Sequence, residues 1–100
     1  MTSQLADQFG RNLRRYRRRA DLSQKELADL AELSRVDIGA LERGKRLPRL
    51  DTILKVSAGV SASPCLLLEG LHWLPGHYVD GNFYVEDGSG WANRAKKARP

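Results

Sequence analysis

Little in this chain of 100 residues belongs to the chemistry of secretion, membranes or catalysis. Its one cysteine, Cys65, cannot close an internal disulfide, which agrees with a reducing compartment. No run approaches the roughly 20 apolar residues of a membrane helix. The opening "MTSQLADQFGRNLRRYRRR" lacks the apolar stretch of a secretory signal, so the expected location is the cytoplasm. There is no glycine-rich phosphate loop of the G-x-x-x-x-G-K-[ST] kind, and no nucleophile with a base beside it. Cys65, His72 and His77 are spaced like no zinc site. An enzyme is therefore not expected, nor is a metal or other cofactor.

What is present is the composition of a single small folded domain, with 41% hydrophobic and 29% charged residues. The net charge of +5 is unevenly placed. Residues 1–50 hold 12 Lys/Arg against 7 Asp/Glu, residues 51–86 hold 1 against 4, and residues 87–100 hold 4 against 1. Basic charge gathered in two places points to an anionic partner, nucleic acid before a membrane surface; a merely solvated basic face is the plainer alternative.

Apolar spacing predicts five short helices. The first, about residues 3–19, places Leu5, Phe9, Leu13 and Tyr16 on one face, with Ser3 as cap and Asp7 early, and Arg11, Arg14, Arg15, Arg17, Arg18 and Arg19 elsewhere. "LSQKELADLAEL" carries a capping box, Ser23 with Glu26, followed by an inward stripe of Leu27, Leu30 and Ala31. "LSRVDIGALERG" repeats the start with Ser34 and Asp37, turns Ile38 and Leu41 inward, and stops at Gly44. A fourth helix follows Pro48, with Leu50, Ile53, Leu54 and Val56 at helical spacing and Gly59 at its end. A fifth starts at Ser63-Pro64 and stops at Gly70.

The character then changes to aromatic and β-branched residues in "LHWLPGHYVDGNFYVEDG", which reads as a β-hairpin over 71–86. A tight turn at Asp80-Gly81 would pair Tyr78 with Phe83 and His77 with Tyr84; a wider loop would pair Leu71–Trp73 with Phe83–Val85. Residues 87–100 read as a basic flexible tail. The expected organisation is thus a helical domain over 1–70, the hairpin over 71–86 and the tail.

Two capped helices joined by a tight turn make a helix-turn-helix, whose second helix enters the DNA major groove while the first crosses the backbone. Here "LSQKELA", the S-x-x-I opening of the third helix, "ERGKRLP" and "LDTILKV" follow in order. Over residues 9–69 the chain resembles the lambda-repressor-like (Cro/XRE) helix-turn-helix family. The resemblance implies a mainly α fold of five helices, here with a small C-terminal β-hairpin, and double-stranded DNA as partner. It implies that Gln24 bonds a phosphate and supports the reading helix, and that Ser34, Arg35, Val36 and Ala40 face phosphate and base edges. It implies that Arg17 and Glu42 tie the first helix to the end of the third, and that Arg43, Lys45 and Arg46 run along the DNA backbone. The chain departs from the common pattern in having Glu32 or Leu33, not glycine, in the turn.

On the third helix only Arg35 offers a bidentate match to guanine O6 and N7; Val36 and Ala40 suit thymine methyls. Asp37 can accept from cytosine N4, although capping its own helix competes with that. Gly39, inside the helix, marks either close approach or drift. So few base contacts call for a homodimer on two half-sites. Trp73, Tyr78, Phe83, Tyr84 and Val85 are the expected dimer or partner contact, unless the hairpin docks on its own fifth helix. The expected function is a sequence-specific transcription regulator, a dimeric repressor; the alternative is an antitoxin or adaptor whose hairpin binds another protein.

Overall fold

A stripe of Leu5, Phe9, Leu13 and Tyr16 backed by arginines is the pattern of a helix with one buried face, and the chain opens with such a helix, α1 (Thr2–Arg19). The computed structural model describes residues 2–76 and 81–85, with five helices and a two-stranded hairpin. After α1 come α2 (Gln24–Ala31), α3 (Arg35–Glu42), α4 (Leu50–Gly59), α5 (Pro64–Leu67), β1 (Leu71–Leu74) and β2 (Asn82–Val85). None of the described helices is long and apolar enough to cross a membrane.

Reciprocal caps start α2 and α3. Ser23 Oγ accepts from Glu26 N–H at 3.0 Å while the Glu26 carboxylate accepts from Ser23 N–H at 2.8 Å. Ser34 and Asp37 do the same at 3.0 and 3.2 Å. α1 differs from expectation: it begins at Thr2, so Ser3 lies inside the helix and is not its cap, and Asp7 falls beyond the first turn.

Four helices end alike. Asp21, Glu32, Gly44 and Ser61 take left-handed φ of 58°, 56°, 69° and 57°. The next residue in each case donates its N–H to the carbonyl five residues back: Leu22 to Arg17, Leu33 to Ala28, Lys45 to Ala40 and Ala62 to Ser57, at 2.9–3.2 Å. Only one of the four is glycine; at the others the strain of about 1 kcal/mol is offset by the carbonyls satisfied and, after Glu32 and Ser61, by packing of Leu33 and Ala62 on the core. Gly59 is thus not the residue that turns α4; it is where α4 passes Leu27, whose Cδ1 would lie 2.6 Å from a Cβ there.

Phe9, Leu13, Leu27, Ile38, Leu41, Val56 and Leu67 are all but inaccessible and form one core. Leu30, expected on the inward stripe of α2, is 60% exposed, and Leu50 and Leu54, at helical spacing in α4, are exposed too; α2 and α4 meet instead where Gly59 passes Leu27. Two residues of α1 set its neighbours in place. At Gly10 a Cβ would stand 2.5 Å from the Leu41 carbonyl oxygen and 2.7 Å from that of Glu42, so α1 and the end of α3 touch backbone to side. Buried Asn12 donates to the carbonyls of Leu67 and Glu69 at 2.9 and 2.8 Å, satisfying the end of α5, and accepts from Gln8 at 2.9 Å.

The hairpin is antiparallel in the wider register: Leu71 faces Val85, His72 faces Tyr84, Trp73 faces Phe83 and Leu74 faces Asn82. Its strands lie against α1, and Leu71 packs on the core. Tyr78, His77, Asp80 and the tail over 87–100 lie outside the described residues. A methyl group at Gly10 has only backbone to displace, so Gly10→Ala is expected to destabilise the domain by about 1–3 kcal/mol in urea unfolding, although alanine is the better helix former. An unchanged midpoint would contradict the close approach.

Candidate nucleic-acid interface

The end of α1, the start of α2 and the end of α3 meet at one carboxylate. Glu42 accepts from Arg17 Nε at 2.6 Å, from Arg17 Nη2 at 3.0 Å and from Gln24 Nε2 at 3.1 Å. A third Arg17 nitrogen, Nη1, donates to the Leu22 carbonyl at 2.8 Å, which ties in the loop between α1 and α2. The pair is withdrawn from water, with side-chain exposures of 11% for Arg17 and 3% for Glu42. The bond to Glu42 raises the arginine's hold on its proton, against burial, which by itself lowers it. A two-pronged, three-donor arrangement leaves α2 and α3 one orientation relative to α1.

With Ile38 and Leu41 turned into the core, the exposed surface of α3 carries Arg35 and Val36, the latter 73% exposed, with Ala40 half-buried beside them. Arg43 and Lys45 follow on the exposed loop, and neither they nor Arg35 form an ion pair among the described residues. Ser34 and Asp37 cap the helix. Asp37 also accepts from Arg46 at 2.8 Å, so the loop is pinned to the start of α3 and the carboxylate's charge is neutralised. Hydrogen bonds from the Ser34 side chain and backbone, followed by Arg46, hold the Asp37 carboxyl below its ordinary 3.8.

Gly39 is buried at the junction of these groups: a Cβ there would stand 3.0 Å from Arg43 Nη1 and 3.8 Å from Gln24 Oε1. Its near neighbour is thus the movable tip of an arginine, not backbone. The Gln24 amide is oriented by its bond to Glu42, a contact the motif alone did not reveal. Gly10 and Asn12 were also not singled out from sequence, although a glycine inside a helical pattern and an asparagine within an apolar stripe were legible signals.

The other expected contact lies elsewhere. Trp73 and Phe83 are 52% and 51% exposed, their ring centres 4.7 Å apart, and Leu74 continues the apolar surface. Gly81 lies under the Trp73 ring, which a Cβ there would strike. Tyr84 and Val85 are half-buried, with Tyr84 beside His72 at 5.0 Å between ring centres.

Two outcomes follow from the charges. Glu42→Ala strands a buried guanidinium and should cost about 3–5 kcal/mol in chemical denaturation, whereas Arg17→Met with Glu42→Leu, which removes both charges, should recover much of it. Equal losses would show the pair to be incidental. Because the Asp37 carboxyl binds its proton less tightly in the folded chain, its contribution is complete above the ordinary value and is lost as pH falls through the lower folded one. Stability should therefore fall more steeply below pH 3.8 than in Asp37→Asn; identical slopes would rule the cap out as the cause.

A family model for the helix-turn-helix domain matches residues 8–69. Solved structures agree with it. The restriction-modification controller protein C.AhdI from Aeromonas hydrophila is 39% identical over 62% of this chain and 94% of its own, with a TM-score of 0.60. The clp gene regulator ClgR from C. glutamicum is 26% identical over 64% and 83%, with a TM-score of 0.62. The P22 c2 repressor, solved with a synthetic operator, is 29% identical over 62% and 94%, with a TM-score of 0.58. No curated protein matches the chain significantly. The capped helix pair, the Arg17–Glu42 tie and these likenesses agree: the chain belongs to the lambda-repressor-like (Cro/XRE) helix-turn-helix family.

Proposed function

We propose that this protein is a cytoplasmic, sequence-specific transcription regulator, a repressor that binds double-stranded DNA as a homodimer and acts by occupancy, without a catalytic step. The observation that carries the reading is the Glu42 carboxylate, which locks α2 and α3 together and leaves the outer face of α3 uncovered. In this reading α3 lies in the major groove. Arg35 bonds guanine O6 and N7, while Val36 and Ala40 pack on thymine methyls. Gln24 and Ser34 meet phosphates at the helix starts, where backbone N–H groups favour an anion. Arg43 and Lys45 follow the backbone. Arg46 neutralises Asp37, so that its carboxylate caps α3 without repelling the phosphates.

Small side chains on α3 make direct readout modest, so half-site spacing and DNA shape supply much of the specificity. Two copies meet, in this reading, through Trp73 and Phe83. The exposed rings also favour a second reading, an antitoxin or adaptor whose hairpin holds another protein. Sedimentation separates the two. A dimer that Trp73→Ala with Phe83→Ala converts to monomer supports the first, and a monomeric wild-type protein supports the second.

Selection of bound duplexes from a random pool tests the DNA reading. Enrichment of paired half-sites is expected, and no enriched sequence would refute it. Arg35→Ala should relax preference at one guanine per half-site, a loss of about 1–3 kcal/mol of discrimination. Gln24→Ala should weaken binding to all sequences alike; the reverse pattern would refute both roles.

A further inference from the structure

The arginines on the outer face of α1 take no part in the arrangement that presents α3. Arg11, Arg14, Arg15, Arg18 and Arg19 are all exposed and stand together on one open face of the helix. They succeed one another at three- and four-residue spacing, so like charges stand side by side along about 12 Å of helix. The dipole favours the cations of the last turn, Arg18 and Arg19, but not those in the middle of the helix. Internal partners are few. Arg15 meets Glu69 at 2.8 Å across an exposed pair, Arg11 donates to Gln8 at 2.8 Å, and Arg15 and Arg19 lean on the Tyr16 ring. Arg14 and Arg18 have no side-chain hydrogen bond or ion pair among the described residues.

The stripe ends beside the reading unit. Arg17, in the same last turn, is bonded to the Leu22 carbonyl and to Glu42, the carboxylate that also holds Gln24. A row of guanidinium groups therefore leads away from the start of α2. Neighbouring phosphates of one strand stand about twice the 3.4 Å axial rise apart, so a row of about 12 Å reaches about two of them. We propose that this arginine face is a second phosphodiester-binding surface, which grips the DNA backbone outside each half-site and extends the footprint beyond the bases that α3 reads. The inference rests on the DNA reading above. It adds affinity and salt dependence without adding sequence preference.

The test compares the wild-type protein with Arg11→Gln/Arg14→Gln/Arg18→Gln on two duplexes from the selection, one with long flanks and one trimmed to the half-sites. Affinity is measured against salt. On the long duplex the slope of log K against log salt should fall by about 0.9 for each phosphate no longer neutralised, so by about 2 in the variant. Site preference should not change, and on the trimmed duplex the two proteins should bind alike. Equal slopes on the long duplex, with wild-type selectivity intact, would overturn the proposal and leave the reading by α3 standing. Equal losses on both duplexes would also overturn it, since the arginines would then act within the half-sites. A wild-type protein that selects no sequence would remove the DNA reading itself. Arg14→Gln/Arg18→Gln, which touches no internal partner, serves if circular dichroism shows the triple variant unfolded.

Discussion

One buried carboxylate organises this small domain. Glu42 closes α3 and accepts two bonds from Arg17 of α1 and one from Gln24 of α2, so three helices share a single electrostatic anchor. Apolar packing alone would bring these helices together, since Leu27, Ile38 and Leu41 are fully buried, but it tolerates small rotations. A bidentate guanidinium–carboxylate pair adds a directional constraint, because two parallel N–H···O bonds favour one relative orientation. The close contact at Gly10 acts on the same joint, setting the end of α3 against the side of α1. What reaches solvent from α3 is decided at that joint.

The local signals in the chain were strong where one residue type has one use. Ser23-Glu26 and Ser34-Asp37 announced both helix starts, and both boxes are present. Glu32 marked a turn without glycine, and it takes the left-handed conformation with a φ of 56°. Side-chain burial was less legible. Leu30, Leu50 and Leu54 keep helical spacing yet face outward, because a stripe wider than the contact between two short helices leaves its margins exposed. The hairpin register could not be chosen from sequence, since both pairings place aromatics opposite one another; Trp73 opposite Phe83 fits the glycine at position 81 under the indole ring.

At the candidate interface, sequence identified the positions better than the bonds. Arg17 and Glu42 could be paired through the family likeness, but the bond of Gln24 to the same carboxylate depends on how α2 crosses α3, which no motif states. The bond from Arg46 to Asp37, nine residues away, is a contact between loop and helix that spacing does not encode. Asn12 carried a signal that is easy to read in retrospect. A polar residue between Phe9 and Tyr16 on the buried face needs partners, and it has the carbonyls at the end of α5.

In the proposed function, α3, held by Glu42, is the element that reads DNA. A crystal structure of the protein with a duplex carrying its selected half-sites tests it most directly. The account predicts α3 in the major groove, Arg35 on a guanine edge and the Gln24 amide on a phosphate, with the Arg17–Glu42 pair unchanged. A complex in which α3 lies outside the groove, or in which the pair opens to place it there, would contradict it.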